Sequence, residues 1–283
     1  SNYNLYDRGS ASAACEWLKA RADTPDEQPW VLYVGFVAPH YPLVVPSQFF
    51  DMYPLDKIPF PKLHPRGGYK QHPWVEILDG VIGQDHFFDT EEERLRAIAA
   101  YMGLCSFVDA EVGLVLDALR DNNFEDDTRV IYTSDHGDNL GARGLWGKSV
   151  LYEESTRIPM IVSGPDVPKG KISKTPVTLL DIHQTAVTAL GHPLHDGDAE
   201  LSGRSLIELA TSTDDTERLV TSEYHAMGAP TSAFMLRQGD WKYHYYEGYA
   251  PELFNIADDP EELNDRAADP NVKSVLNRFE ETL

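Results

Sequence analysis

Continuous runs of apolar residues mark the predicted strands of the chain. Residues 30–37 read WVLYVGFV, and residues 130–133 read VIYT before the polar segment SDHGD. Such runs are typical of strands that are buried on both faces of a parallel sheet. We therefore predict a central strand at 30–37, a buried strand at 130–133, and a further strand at 160–163.

Apolar residues at helical spacing predict the helices. The clearest helix opens with a capping box of Thr90 and Glu93 and is predicted to run to about Arg120. Further helices are predicted at 10–21 and 149–155, whereas residues 1–8 are predicted to be an interior loop. A helix followed by a strand is the order of a parallel α/β layer. Another helix is predicted at 179–190, ending at Gly191, with Leu180, His183, Val187 and Leu190 on its buried face.

Two regions depart from this alternation. Residues 43–89 are rich in Pro, His and aromatic residues without periodicity, which is typical of a lid or binding loop that shapes a substrate pocket. From Arg218 onward, short apolar segments separated by turn residues predict an antiparallel sheet, and a final helix is predicted at 270–283. We therefore predict an α/β domain over 1–212 and an antiparallel α+β subdomain over 213–283.

The end of the predicted strand at 130–133 carries candidate chemistry. Asp135 offers a hard oxygen ligand and His136 a nitrogen ligand, and a strand that stops at Gly137 can turn both side chains toward one cation. Lys148 follows with a flexible ammonium that suits a tetrahedral oxyanion. A metal with a lysine indicates phosphate or sulfate ester chemistry.

His40 ends the other apolar run in the segment Pro39-His40-Tyr41-Pro42. The two prolines fix the loop, and His40 is placed at the same carboxyl edge of the predicted sheet as Asp135. The alternative interpretation is a loop histidine held only by proline geometry. Other polar groups are interpreted as structural, namely His64, His72 and His86, and a charge network of Glu153, Glu154 and Arg157.

The run D-H-G-D-x-x-G-x-x-G-L-W-G-K, followed by Y-E-E-S-x-R-x-P, closely resembles the sulfatase family of the alkaline phosphatase superfamily. The P-H-Y-P and G-R-S-L segments resemble it as well. The resemblance implies a mostly parallel sheet flanked by helices, with a small C-terminal antiparallel sheet. It also implies that Asp135 and His136 ligate a divalent ion, Ca²⁺ in close relatives and Mn²⁺ or Zn²⁺ in the similar phosphonate monoester hydrolases. By the same resemblance, Lys148 binds the sulfate, and His40 contacts it or protonates the leaving oxygen.

Two parts of the family pattern do not occur in these 283 residues. Neither C-x-P-x-R nor S-x-P-x-R, whose first residue becomes the formylglycine nucleophile of sulfatases, is present, and neither is the paired-aspartate segment that completes the metal site. We therefore expect the chain to be the later part of a longer enzyme, with the amino-terminal half as its partner. With two protein ligands only, residues 1–283 alone are predicted to bind metal weakly and to show negligible turnover.

The charge of the chain limits the classes of binding partner. With 24 basic and 46 acidic residues the net charge is −22, which argues against nucleic acid and anionic membrane surfaces as partners. An anionic substrate is then expected to be attracted locally, by the metal with Lys148, His40 and Arg143.

Cys15 and Cys105 are predicted to be ordinary helix residues. No membrane span or signal peptide is predicted, and a cytoplasmic location is expected, with a periplasmic or secreted one left open.

The sequence therefore predicts a metal-dependent sulfuric ester hydrolase acting on a small-molecule sulfate ester. One alternative is a phosphonate or phosphate ester hydrolase of the same superfamily. The other is a non-catalytic fragment that binds an anion or a partner chain through exposed sheet edges. Choline, aryl and carbohydrate sulfates all remain open as substrates, and so does a homo-oligomer.

Overall fold

The computed structural model describes residues 2–24, 28–198 and 200–283. The chain divides into two compact units. The first unit comprises Ser1–Phe60 with Phe88–Arg129, and the second comprises Pro61–Phe87 with Val130–Leu283. The predicted domain boundary between residues 212 and 213 stays a prediction.

The first unit is built on three helices, α1 (Asn2–Asp23), α2 (Ser47–Phe50) and α4 (Glu91–Asp121). Both α1 and α2 pack against α4. The core of the unit joins Ala38 to Leu104, Phe107 and Val108 of α4. The capping box that opens α4 is confirmed, because the Thr90 hydroxyl accepts from Glu93 N while the Glu93 carboxylate accepts from Thr90 N. Cys15 and Cys105 lie in α1 and α4 as predicted, and both are free thiols.

Helix α1 begins at Asn2, so the predicted loop at residues 1–8 is wrong over the described residues. Its buried face carries Asn4 and Asp7 ahead of Ala11, Ala14 and Leu18, at helical spacing. Asn4 Nδ2 donates to Val44 O, and the Asp7 carboxylate accepts from Val37 N and Ala38 N. Polar residues on the buried face conceal the apolar periodicity of the first two turns.

The predicted central strand at 30–37 is also wrong. These residues have no regular secondary structure and form no ladder with another described segment. Val31 is 61% exposed and Tyr33 is 90% exposed, so the segment is not buried on both faces. Its end is fixed instead by Asp7, whose side chain replaces a strand partner for two backbone amides.

Helix α4 is long and apolar enough to span a membrane, with 44% of its most apolar window buried. Length and hydropathy are weak evidence, because the core helix of a compact domain meets the same criteria. The contacts of Leu104, Phe107 and Val108 within the first unit are those of such a core helix.

Residues 43–89 are more regular than predicted. They contain α2, the helix α3 (Pro73–Ile82) and short 3₁₀ turns at 55–57, 65–67 and 85–87. His72 caps α3 by accepting from Trp74 N, and Pro73 occupies the first helical position. Trp74, Val75 and Leu78 are buried in the main core of the second unit. This part of the predicted lid is therefore a packed helix.

A two-stranded sheet in the second unit flanks the candidate site residues in the sequence. Strands β1 (Val130–Thr133) and β2 (Met160–Ser163) pair antiparallel, with Tyr132 opposite Ile161. The helix-then-strand order had predicted a buried strand in a parallel layer, and for this pair both expectations are wrong. Tyr132 is 39% exposed and Ile161 is 59% exposed, so one face of the pair is open.

The C-terminal part confirms the predicted antiparallel sheet. Strands β3 (Val220–Tyr224), β4 (Ala233–Gln238), β5 (Trp241–Tyr246) and β6 (Glu252–Asn255) form a four-stranded antiparallel meander. The final helix α8 (Lys273–Thr282) is confirmed too. It packs on this sheet, where Phe279 lies in a cluster with Leu236, Tyr243 and Leu253.

Helix α5 (Glu153–Thr156) lies between β1 and β2, and two further helices, α6 (Leu180–Ala189) and α7 (Leu206–Thr211), lie between β2 and β3. Only the last part of the helix predicted at 149–155 is therefore helical. The predicted buried face of α6 is wrong, since Leu180 is 53% exposed and the buried residues are Asp181 and Thr185. Asp181 forms two hydrogen bonds to Arg218, so an ion pair holds this helix in place. His183 lies on the outside, 3.4 Å from Asp198.

Candidate active site

The segment after β1 is shaped by hydrogen bonds from its own polar side chains. Ser134 Oγ donates to His136 O, and Thr133 Oγ1 donates to Pro159 O beside β2. His136 N donates to the Asp135 carboxylate. The side chain of Asp135 is 79% exposed and that of His136 is 29% exposed. Both predicted metal ligands therefore stand at the surface of the second unit.

The His136 ring has its tautomer fixed in a form that suits metal binding. Nδ1 lies 2.8 Å from Gly137 O and must donate to it, because a carbonyl oxygen only accepts. When the ring is neutral, Nε2 then carries a lone pair, and it lies 3.4 Å from Asp135 Oδ2. Two acceptors this close repel each other unless a cation or proton lies between them. The pair thus fits a shared cation, with the backbone carbonyl orienting the ring.

The described residues supply only this pair of ligands. They contain no group of three or more His, Cys, Asp or Glu side chains that could hold a metal ion. Because hard divalent ions prefer six or more ligands, this pair would fill only part of the coordination shell of such an ion.

Gly137 is required by close contact rather than by its own backbone conformation. Gly137 N donates to Ser155 O over 2.8 Å, and a Cβ on Gly137 would lie 2.0 Å from Glu154 O. The backbone of α5 therefore lies against the residue that follows the two predicted ligands.

We expect Gly137→Ala to destabilise the protein by about 3 kcal/mol, because the clash is with backbone that cannot rotate away. Gly113→Ala is the matched control, since Gly113 lies in α4 with nothing within 4 Å of a new Cβ. That change is expected to stabilise the helix by up to about 1 kcal/mol. Thermal unfolding of both variants measures the difference, and equal midpoints would contradict the contact.

Residues 138–147 form a closed loop between the predicted ligands and Lys148. Asp138 Oδ1 accepts from Leu140 N and Gly147 N, while Asn139 N and Nδ2 both donate to Gly147 O. Within the loop, Gly141 N donates to Leu145 O. Lys148 follows directly on Gly147 and is half-buried.

Arg143 at the tip of the loop is a structural residue, so the expectation that it attracts substrate is wrong. It is 1% exposed, and its guanidinium lies 3.1 Å from Glu154 and 3.8 Å from the ring centroid of Tyr152. It also donates to the backbone carbonyls of Glu261 and Glu262. Burial and this pairing anchor the loop in the core of the second unit.

A buried ionic network extends from this anchor into the C-terminal sheet. Lys242 on β5 is fully buried, and its Nζ lies 2.8 Å from Glu153 and 2.9 Å from Glu262. His244 lies 3.4 Å from Glu252 and 3.7 Å from Glu262. The predicted structural role of Glu153 and Glu154 is confirmed, although their partners on β5 and in the loop were not foreseen.

Glu252 gives this network a defined pH dependence. Burial acts to raise the pKa of its carboxyl, but the hydrogen bond and charge of His244 and the Tyr152 hydroxyl outweigh burial, so the pKa lies below the ordinary 4.5. A lowered folded pKa contributes stability that is complete above pH 4.5 and is lost as the pH falls through the folded value.

We therefore expect the difference in unfolding free energy between the wild type and Glu252→Gln to shrink as the pH falls below 4.5. Urea unfolding at several pH values measures it. Glu247→Gln, on an exposed residue, serves as the control and is expected to show no such trend. A difference that grows with acid would contradict the account.

His40 lies in the first unit, whereas Asp135, His136 and Lys148 lie in the second. Its ring is half-buried, and Nδ1 donates to Tyr41 O over 2.8 Å. The structure therefore places three of the four predicted site residues in one unit, beside the two ends of the loop 138–147. The placement of His40 with them stays a prediction.

Comparisons with known proteins identify the family of this chain. The family model for sulfatases matches residues 1–192, and the model for the C-terminal part of N-sulphoglucosamine sulphohydrolase matches residues 141–283. The chain belongs to the sulfatase family. The predicted recognition is thereby confirmed, and sulfatases as a family are associated with a divalent metal.

Relatives and solved structures extend the match. A choline-sulfatase from Rhizobium meliloti (strain 1021) is 32% identical over 253 residues, covering 89% of this chain and 49% of that protein. An arylsulfatase K from Danio rerio is 32% identical over 287 residues, covering 94% of this chain and 54% of that protein. The chain thus spans about half the length of the curated relatives it matches.

The phosphonate monoester hydrolase of Agrobacterium radiobacter superposes with a TM-score of 0.79 at 24% identity, covering 96% of this chain and 59% of that structure. This likeness establishes the fold. The predicted alkaline-phosphatase-like α/β class, with its small antiparallel sheet, is confirmed.

Proposed function

We propose that the native protein is a sulfuric ester hydrolase that cleaves a small-molecule sulfate monoester. The observation that carries the proposal is the closed loop 138–147, in which Asp138 and Asn139 bond Gly147, so that the backbone leaving His136 and the backbone entering Lys148 meet at the base of one loop. Family membership supports it, and the relatives named above are a choline-sulfatase and an arylsulfatase K. Either an alkyl or an aryl sulfate is compatible with these relatives.

In this proposal Lys148 binds the sulfuryl oxygens through its ammonium and stabilises the charge that develops on them. His40 donates a proton to the leaving oxygen. The proton comes from Nε2, because Nδ1 already donates to Tyr41 O. Arg143 takes no part, since it is buried against Glu154.

Asp135 and His136 Nε2 would hold the divalent ion, with Ca²⁺ as the first choice and Mn²⁺ or Zn²⁺ as alternatives. A bound cation would neutralise part of the negative charge on the ester. The nucleophile in this proposal is a formylglycine outside residues 1–283, and the remaining metal ligands also lie outside them.

Turnover by the native protein, purified with its metal, tests the proposal. We expect 4-nitrophenyl sulfate to be hydrolysed with a higher kcat/KM than 4-nitrophenyl phosphate or a phenylphosphonate monoester. Mass spectrometry of its peptides is expected to find a formylglycine. A preference for the phosphonate with an unmodified nucleophile would identify a phosphoryl-transfer enzyme instead. Absence of turnover with all three esters would favour a binding protein.

A further inference from the structure

Two side chains without a role in the proposed chemistry hold Gly147 from both sides. Asp138 Oδ1 accepts from Gly147 N over 3.0 Å and from Leu140 N over 2.9 Å. Asn139 donates to Gly147 O from its backbone N over 2.7 Å and from Nδ2 over 2.6 Å. We refer to the three hydrogen bonds that Gly147 makes with Asp138 and Asn139 as the Gly147 clamp. Both peptide groups of Gly147 are therefore fixed.

The clamp determines how the backbone enters Lys148. Gly147 has φ +75°, a conformation that favours glycine, so a turn of fixed shape immediately precedes the lysine. At the other end of the loop, Gly137 N is bonded to Ser155 O, one residue after His136. The clamp thus brings the backbone that enters Lys148 next to Asp138, two residues after His136.

Contacts other than the clamp also hold the loop. Its tip is anchored separately by Arg143, which is buried against Glu154 and Tyr152. The bond from Gly141 N to Leu145 O closes the tip on itself. The clamp therefore acts at the one point of the loop where the lysine leaves it.

The Asn139 side chain is buried with one unpaired polar atom, and its contact with Gly147 explains why an amide is needed there. It is 3% exposed, and its Oδ1 has no hydrogen-bond partner among the described residues. A cavity of about 10 Å³ beside it, lined by Leu78, Trp146 and Val150 among others, has room for about one water molecule. A buried amide is unfavourable unless it makes a required contact, and its Nδ2 bond to Gly147 O is that contact.

We propose that Asp138 and Asn139 are positioning residues that set the Lys148 ammonium at the distance from Asp135 and His136 that a sulfate ester requires. The inference rests on the proposed function, because it assigns a geometric task to that same site. Asp138 and Asn139 touch neither the substrate nor the cation. Their effect passes through Lys148 alone.

A double-mutant cycle in the native protein with 4-nitrophenyl sulfate tests this. Asp138→Ala is expected to lower kcat/KM by about 10-fold to 100-fold, since a misplacement of about 1 Å has effects of this size. Asn139→Ala, which keeps the backbone bond, is expected to lower it about tenfold. Asp138→Asn keeps an oxygen that accepts both amides and is expected to stay within about threefold of the wild type.

The decisive arm repeats Asp138→Ala and Asn139→Ala in a Lys148→Ala background. If the clamp acts through Lys148, each further change is expected to be less than about threefold. Asp259→Ala is the matched control, since Asp259 also accepts from two backbone amides, at Leu263 and Asn264, and it is expected to leave kcat/KM unchanged.

Additive losses in the Lys148→Ala background would overturn the inference, and so would failure of Asp138→Asn to preserve activity. If Asp138→Ala does not fold, the Asn139→Ala cycle and Asp138→Asn decide in the same way. A wild type that hydrolyses none of the three esters would overturn the proposed function and this inference with it. That outcome differs from a failure of the inference alone, because it is observed with the wild type and needs no variant.

Discussion

Replacing Lys148 by alanine in the native protein is expected to lower kcat/KM for 4-nitrophenyl sulfate by about 10²-fold to 10³-fold, the effect of removing one donor to a developing oxyanion. The physical reason is the loss of a positive charge on a chain whose net charge is −22. The surrounding field cannot replace it, because the nearby Arg143 is buried in an ion pair with Glu154. Steady-state kinetics on the purified variant measures the loss.

Two lysine variants sharpen this prediction. Lys148→Arg keeps the charge but replaces a compact ammonium with a planar fork, so an intermediate loss is expected. Lys169→Ala removes a lysine from an exposed turn after β2 and is expected to leave the kinetics unchanged. A Lys148→Ala enzyme within about threefold of the wild type would contradict the assigned role of this residue.

Lys242→Met is expected to lower the free energy of unfolding by about 3–5 kcal/mol, because removing one partner of a buried pair leaves an uncompensated charge. Lys242 is fully buried between Glu153 and Glu262, and Glu262 is 2% exposed. His244 Nε2 lies 3.7 Å from Glu262 Oε1, farther than Lys242 Nζ. Urea unfolding followed by tryptophan fluorescence measures the change.

The controls separate lost charge pairing from lost packing. Lys273→Met changes an exposed lysine on α8 and is expected to alter stability by less than about 0.5 kcal/mol. The double variant Lys242→Met with Glu262→Gln removes one of the stranded charges and is expected to recover part of the loss. If Lys242→Met is as stable as Lys273→Met, the buried network does not stabilise the fold as described.

The elements foreseen from sequence are those whose pattern is local. The α4 helix carries its start signal in Thr90 and Glu93 and an apolar face over many turns. The strands β3 to β6 are short apolar segments separated by turn residues, so their antiparallel arrangement could be predicted. In both cases neighbours in sequence determine the structure.

The errors arise where a buried position carries a polar residue with a distant partner. Asp7 on α1 binds the amides of Val37 and Ala38, and Asp181 on α6 binds Arg218. Each places a charge on a face that apolar periodicity assigns to solvent. Such pairings are separated by tens of residues in the chain and leave no local signal.

The candidate site shows the same division. Asp135 and His136 are recognisable because they are metal-binding residue types at the end of a strand. Lys148 is recognisable because its ammonium can bind an anion. Asp138 and Asn139 were not identified, since polar residues followed by glycines are common in ordinary turns. Only the hydrogen bonds to Gly147 distinguish them.

A crystal structure of the native protein with Ca²⁺ and inorganic sulfate tests the central claim most directly. We predict a cation bonded to the Asp135 carboxylate and to His136 Nε2, with the sulfate held by Lys148 Nζ. Both ions bound elsewhere, with Asp135, His136 and Lys148 in contact only with water, would contradict the proposed site.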